Sequence, residues 1–177
     1  MSDFSYVLFD TVLGRCGVAW GPKGVRAVSF AEASDEATIK RLMRRAPGAV
    51  EAAAPDEVAA LIEDIKALFE GKRRDLSHAP LDWDGVGAFE REVYELSLKI
   101  KPGEAKTYGD LAKALGDVAQ SRRVGQALGR NPFPIVVPCH RIVGASGAMT
   151  GFSAPGGAEL KRKLLKIEGA IGPDLFD

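Results

Sequence analysis

Strand-like and helix-like hydrophobic patterns fall in different parts of this sequence, and that division limits the fold more than any single motif. Residues 6–9, 15–20 and 25–30 read as strands, separated by "DTVLG" and "GPKG", whose glycines and proline supply turn chemistry. An antiparallel meander is therefore expected to open the chain. Next, "SDEATIKRLMRR" reads as a helix starting at Ser34. In "PDEVAALIEDIKALFEG" the residues Val58, Leu61, Ile62, Ile65, Leu68 and Phe69 keep helical spacing, with Pro55 at the start and Gly71 after the end. The "EAAAP" between these helices is expected to be a linker. The patternless "KRRDLSHAPLDWDGVG" sets a domain boundary near Asp84, and Trp20 and Trp83 are expected to be packing residues.

From Gly87 onward the period is mostly helical. Phe89, Val93, Leu96 and Ile100 form one stripe, ended by "KPG". In "TYGDLAKALG", Thr107 is the N-cap, Asp110 the reciprocal cap, Leu111 and Leu115 face inward, and Gly116 marks the stop. A short turn, "DVAQ", leads into "SRRVGQALGRN", which gives the outline of a helix-turn-helix. Many small helical domains share that outline, but here the second helix is basic. Ser121, Arg122, Arg123 and Gly125 offer hydrogen bonds, charge and a close approach where helical N–H groups already favour phosphate. The expected class is α/β. Residues 1–84 form a small N-terminal domain of antiparallel sheet and helices, and residues 85–171 a mostly helical C-terminal domain containing the helix-turn-helix.

The formal net charge of +0 conceals an asymmetry. Residues 1–84 carry 11 basic and 14 acidic side chains, whereas residues 85–171 carry 13 basic and 8 acidic ones. Between Val118 and Ala158 there is no acid, while Arg122, Arg123, Arg130 and Arg141 all fall there. A field of that sign suits a polyanion.

The other classes are constrained by what composition lacks. With 177 residues, 46% of them apolar, the chain has material for a sizeable core. No window reads as a membrane span and "MSDFSYVLFD" breaks its apolar run early, so a soluble, cytoplasmic protein without a signal peptide is expected. Cys16 and Cys139 are too few for a disulfide framework and are expected to be thiols. They and the two histidines lack metal-ligand spacing, and no glycine-rich nucleotide loop occurs, so neither metal nor cofactor is expected.

Chemistry concentrates in "NPFPIVVPCHRIVG", where the apolar run "PFPIVVP" is expected to be an extended buried strand or loop that delivers Cys139. Adjacent side chains of an extended segment point to opposite faces, so Cys139 and His140 are not expected to touch directly. His140 would act through a turn or one bridging water, with a carboxylate fixing its tautomer. Glu168, near the end of "ELKRKLLKIEG", is the candidate carboxylate. Taken singly, a cysteine is more often a small buried side chain than a nucleophile, and a glutamate before a terminal helix glycine is usually solvated.

The run PCHR, preceded by "RNPFPIVV" and followed by "GFS" and a helix ending "IEG", resembles the DNA repair alkyltransferases that act on O6-alkylguanine. The resemblance covers nearly all of residues 87–170 and, more loosely, "FDTVLGRCGVAW". It implies that Cys139 accepts the alkyl group irreversibly and is spent after one turnover, that His140 relays the thiol proton through water, and that Glu168 orients His140. Tyr108 would give its proton to the departing guanine oxygen. Arg122, or the adjacent Arg123, would enter the duplex where the damaged base has left, and Asn131 would hold the turn between recognition helix and active-site segment. The backbone around Ser153 and the carbonyls of Cys139 and Ile142 would meet the base, in a pocket that Leu128, Pro134 and Phe152 help to line. The implied partner is double-stranded DNA carrying alkylated guanine, bound in the minor groove independently of sequence by a monomer, with O4-alkylthymine left open as a second substrate.

The chemistry agrees with that assignment. Only a few per cent of a free cysteine is ionised near pH 7, and an ether carbon on guanine is a poor electrophile, so activation must come from both ends. Flipping the base costs a few kcal/mol, which an intercalating arginine and a basic surface would offset. Departures from the family pattern are Phe152 where some members carry a phenol, the long "SAPGG" insert, and a glycine in "VAWGPKG" where some vertebrate members have a zinc ligand. Two other classes compete. A cysteine hydrolase would need a histidine facing Cys139, and a non-catalytic lesion sensor would bind alkylated DNA without transfer; relatives of the second kind carry tryptophan at the cysteine position.

Overall fold

A computed structural model of the chain describes residues 3–149, 154 and 156–172. Strands β1 (Ser5–Thr11), β2 (Gly14–Gly21) and β3 (Gly24–Ser29) form the expected meander. β1 and β2 pair from Ser5↔Trp20 to Thr11↔Gly14, and β2 pairs with β3 on its other side. Gly14 and Gly24 hold the two turns with φ of 105° and 121°, conformations that suit glycine. Helix α1 (Asp35–Met43) starts at Ser34, whose side chain accepts from the Ala37 N–H at 3.1 Å.

A short strand runs into the first residue of the expected linker, Glu51. Val50–Glu51, β4, pairs parallel with Ser5 and Tyr6 of β1, giving the sheet order β3-β2-β1-β4. Sequence could not show this, because two residues carry no period; the pairing is fixed by the neighbouring strand. Helix α2 (Asp56–Phe69) buries all six residues of its predicted stripe, and it packs them under the sheet with Phe30 stacked on Phe69.

Helix α3 (Ala88–Ser97) buries Val93, Tyr94 and Ser97, whereas Phe89 and Leu96 of the expected stripe are half-buried. Tyr94 takes the central place because its ring stacks on Trp83 and its hydroxyl donates to Ala127 O at 2.6 Å. Trp83 also meets Phe133 edge-on, so it packs as expected. Helix α4 (Tyr108–Ala114) carries the full capping box, Thr107 Oγ1 accepting from Asp110 N and Asp110 Oδ2 from Thr107 N. A 3₁₀ turn, Val118–Gln120, joins it to helix α5 (Ser121–Gly129).

The segment expected to be extended is folded into turns instead. Ile135 adopts φ of 76° and Val137 N donates to Phe133 O at 2.8 Å, while Phe133, Ile135, Val136 and Val137 are all buried. Prolines 132, 134 and 138 remove three backbone donors that a ladder would need, so the β-branched run cannot join a sheet and its side chains are buried by turns. The two-residue strands β5 (Lys106–Thr107) and β6 (Ile142–Val143) pair in parallel, and helix α6 (Gly157–Ile167) follows. One buried apolar core includes Val25, Val28 and Leu61 as well as Val93, Val124 and Phe133. Among the described residues no helix is long and apolar enough to cross a membrane.

Candidate active site

Pro138 ends the folded apolar segment, and Cys139–Arg141 makes a single 3₁₀ turn, closed by Arg141 N donating to Pro138 O at 2.9 Å. Adjacent side chains therefore do not alternate across an extended strand here; the turn, not a strand, sets the directions of Cys139 and His140. Asn131 fixes the approach to that turn. Its Oδ1 accepts from Phe133 N at 2.8 Å and its Nδ2 donates to Val137 O at 3.0 Å. After the turn, Ile142 and Val143 pair with Lys106 and Thr107, which brings the first residue of α4, Tyr108, to the cysteine side of the molecule.

Cys139 is partly exposed, unlike Cys16, which is buried in β2. Burial pushes the Cys139 thiol up, while a hydrogen bond from Asn131, the charge of Lys161 and the backbone N–H groups of Cys139 and His140 pull it down. His140 is 1% exposed. Burial lowers its pKa against the opposing pull of Glu168, so the ring is neutral near pH 7. Nε2 lies 2.9 Å from Glu168 Oε2, and the ionised carboxylate can only accept there. Nε2 therefore carries the proton and Nδ1 is the basic nitrogen, a buried atom with no hydrogen-bond partner among the described residues.

Glu168 stands at the C-cap of α6, buried, and answers to two partners. Burial would raise its carboxyl, but the imidazole and the guanidinium of Arg141 outweigh that and hold it at about 2. Arg141 Nε and Nη2 each donate to it at 2.8 Å, and Nη1 donates to Ile100 O at 2.8 Å. This corrects the picture of an open basic window. Arg141 is a buried ion-pair partner, and Arg130 pairs with Glu90 of α3 at 2.8 Å.

Tyr108, half-buried, faces Lys161 of α6, whose Nζ donates to its Oη at 3.5 Å and lies 5.6 Å from its ring centroid. On the outer side, Thr107, Tyr108, Ser121, Arg122, Gly125 and Gln126 line an open recess of about 660 Å³ between α4 and α5. Arg122 is exposed there, while the guanidinium of Arg123 lies 3.8 Å over the Phe89 ring. The structure thus gathers Asn131, Cys139, His140, Glu168 and Tyr108 around one turn, and Ser121, Arg122 and Gly125 beside Tyr108. Leu128 and Ile142 are core residues, Pro134 lines a separate recess with Val28 and Arg44, and His78 pairs with Asp64 at the surface. Phe152 and Ser153 lie outside the described residues.

Two charged residues of the site were missed from sequence, Arg141 as an ion-pair partner and Lys161 altogether. The signal for Lys161 was its phase. It is one α6 repeat from Leu164 and Leu165 and two from Glu168, so it sits in the buried stripe of the helix.

Residues 88–170 match the family of the 6-O-methylguanine DNA methyltransferase DNA-binding domain. A methylated-DNA–protein-cysteine methyltransferase of Methanosarcina acetivorans is 31% identical over 172 residues, covering 93% of this chain and 98% of that protein. Among solved structures, a Mycobacterium tuberculosis OGT in complex with DNA superposes with a TM-score of 0.74 at 30% identity, over 94% of this chain and 93% of that one. The O6-methylguanine-DNA methyltransferase of Pyrococcus kodakaraensis gives a TM-score of 0.68 at 32% identity, over 94% and 99%. By sequence over almost its whole length, and by fold, this chain belongs to the methylated-DNA–protein-cysteine methyltransferase family.

Proposed function

We propose that the protein takes the alkyl group of O6-alkylguanine in duplex DNA onto its own Cys139 Sγ, once per chain and irreversibly. The observation that carries this reading is the partly exposed thiol on the same 3₁₀ turn as a buried, neutral His140 whose tautomer is set by Glu168. With Nε2–H committed to Glu168, Nδ1 is left to take the thiol proton through a water, and the resulting imidazolium is stabilised by the carboxylate. The thiolate attacks the alkyl carbon, and Tyr108 gives its phenolic proton to the departing guanine. The Asn131 amide favours the thiolate and holds the turn in shape. No second nucleophile follows, because the thioether formed is stable, and the protein is consumed.

Residues 85–171 serve as the DNA-binding and acceptor unit, with α4, the 3₁₀ turn and α5 as its helix-turn-helix, and residues 1–84 as support. The match to a DNA-binding domain over residues 88–170 favours that division. The recess between α4 and α5 receives the minor groove, with phosphates at Ser121 and the helix N-terminus, and Arg122 fills the space of the flipped base. Recognition is independent of flanking sequence, by a monomer. O4-alkylthymine is a second substrate to be tried.

The test is an O6-methylguanine duplex incubated with excess protein. One methyl per chain, on the peptide holding Cys139, is expected, with none in Cys139→Ala and slowed transfer in Tyr108→Phe. Repeated turnover, or a bound lesion left intact, would overturn the acceptor reading.

A further inference from the structure

Arginines gather where the end of α1 meets the end of α5. The recess lined by Val28 and Pro134 has a volume of about 290 Å³, and Arg41, Arg44, Arg45 and Arg130 stand in its wall with no acid among the lining residues. Glu32 holds Arg41 at 3.1 Å and Glu90 holds Arg130 at 2.8 Å, so those two charges are answered. The other two are not. The exposed side chain of Arg44 makes no ion pair or hydrogen bond among the described residues. Arg45 Nη2 donates to a backbone carbonyl, Asp84 O at 3.1 Å, while its Nε is buried without a partner among the described residues. Its Nη1 lies against Gly85, where an added Cβ would come within 2.9 Å of it. Burial and the neighbouring Arg26 both disfavour the charge of Arg45. Helix ends explain part of this crowding. Arg44 caps α1 and Gly129 closes α5, and the carbonyl end of each helix carries about half a negative charge. Two such ends balance about one of the two unanswered arginines, which leaves a positive excess facing the hollow.

We propose that this recess binds a small phosphate-bearing anion, with Arg44 and Arg45 as its principal donors and Arg41 and Arg130 at its sides. Each guanidinium presents a planar fork of N–H groups that matches two phosphate oxygens. The hollow favours a small ion over a duplex, because duplex phosphates ride on a convex surface and these arginines line a concavity. Its volume of about 290 Å³ is near the lower limit of small-molecule sites, about 300 Å³, and suits a di- or triphosphate group. A second recess of about 370 Å³ shares Arg45, Arg130 and Pro132 with it and continues along Gly85, Val86 and Gly87, where a nucleoside attached to the phosphates would lie. The free ion and the phosphate tail of a nucleotide thus offer one chemistry to the same arginines. Such a ligand would touch α1 and the end of α5 together and tie residues 1–84 to the C-terminal half. Binding there is independent of the chemistry at Cys139.

The test is a calorimetric titration of the whole protein with inorganic tripolyphosphate at fixed ionic strength. One ion per chain is expected, with affinity about tenfold weaker in Arg44→Gln and in Arg45→Gln and unchanged in Arg122→Ala. The melting temperature of the parent should rise with the concentration of the ion, and rise less in Arg44→Gln. Arg44 is exposed, so its variant carries the test should Arg45→Gln, which loses the bond to Asp84 O, fail to fold. Adenosine triphosphate identifies the source of the phosphate. Binding tighter than that of tripolyphosphate points to a nucleotide using both recesses, equal binding points to the free ion, and either supports the site. An affinity that Arg44→Gln leaves unchanged overturns it, as does one that Arg122→Ala removes, which would put the ion on the face between α4 and α5. Displacement of the ion by unmodified duplex, with duplex binding weakened in Arg44→Gln, would give the recess to nucleic acid and overturn the small-anion reading. A failed titration leaves Cys139 as acceptor untouched.

Discussion

Arg141 and Glu168 meet through two parallel hydrogen bonds of 2.8 Å in the interior, and one of the two carboxylate oxygens is shared with His140 Nε2 at 2.9 Å. The pair ties the cysteine turn to the end of α6, so the group that orients the histidine is also a structural anchor. Glu168→Gln would leave a buried guanidinium without its counter-charge. We expect a loss of about 3–5 kcal/mol in stability by urea denaturation, together with slower transfer. A variant as stable as the parent would show that the pair anchors nothing.

Acid should act on the same cluster. The Glu168 carboxyl is held at about 2, below its unfolded value. A depressed carboxyl contributes fully above the unfolded pKa of about 4.3, and the contribution disappears as pH falls toward the folded value. His140, kept neutral by burial, works in the same direction from about 6.5 downward, since the unfolded ring binds protons first. Melting temperature is therefore expected to decline on acidification below about 6.5, with a shallower slope at the acid end in Glu168→Gln. Parallel curves for both proteins would contradict this.

The two arginines Arg122 and Arg141, alike in sequence, should separate cleanly. Arg122 is exposed and Arg141 buried. Arg122→Ala should change stability by less than about 0.5 kcal/mol and weaken transfer from duplex far more than transfer from the free base. Arg141→Ala should do the reverse, lowering the melting temperature in the absence of DNA.

Gly125 sits in α5 against Tyr108, where an added Cβ would lie 3.8 Å from the ring, an ordinary contact. Gly125→Ala should thus fold as well as the parent, or better by up to about 1 kcal/mol from helix propensity. If the backbone at Gly125 approaches DNA closely, duplex affinity should fall all the same. Unchanged binding to unmodified duplex in a gel-shift titration would remove α5 at that position from the DNA surface.

What could be read in the sequence was local. The meander, the Ser34 cap, the Thr107–Asp110 box and the stripe of α2 depend on residues a few positions apart, and each appears where its spacing put it. The proline-rich segment before Cys139 misled because its β-branched residues signal burial as strongly as they signal strand, and only the prolines hinted at turns. Arg141 was hidden for another reason. A charge in sequence has no depth, and its partner Glu168 lies on another element, so only packing could turn part of a basic window into a buried ion pair.

Val25 N donates to Pro80 O, Asp82 N to Val25 O and Val28 N to Pro132 O, so β3 has its outward backbone groups taken by chain from both halves. At the opposite border β4 is only two residues long. The β3 border therefore offers no long unsatisfied row on which a second polypeptide could grow a fibril-like ladder. Severing the chain after Asp84 would strip part of that protection, and the liberated N-terminal piece would be the aggregation-prone one.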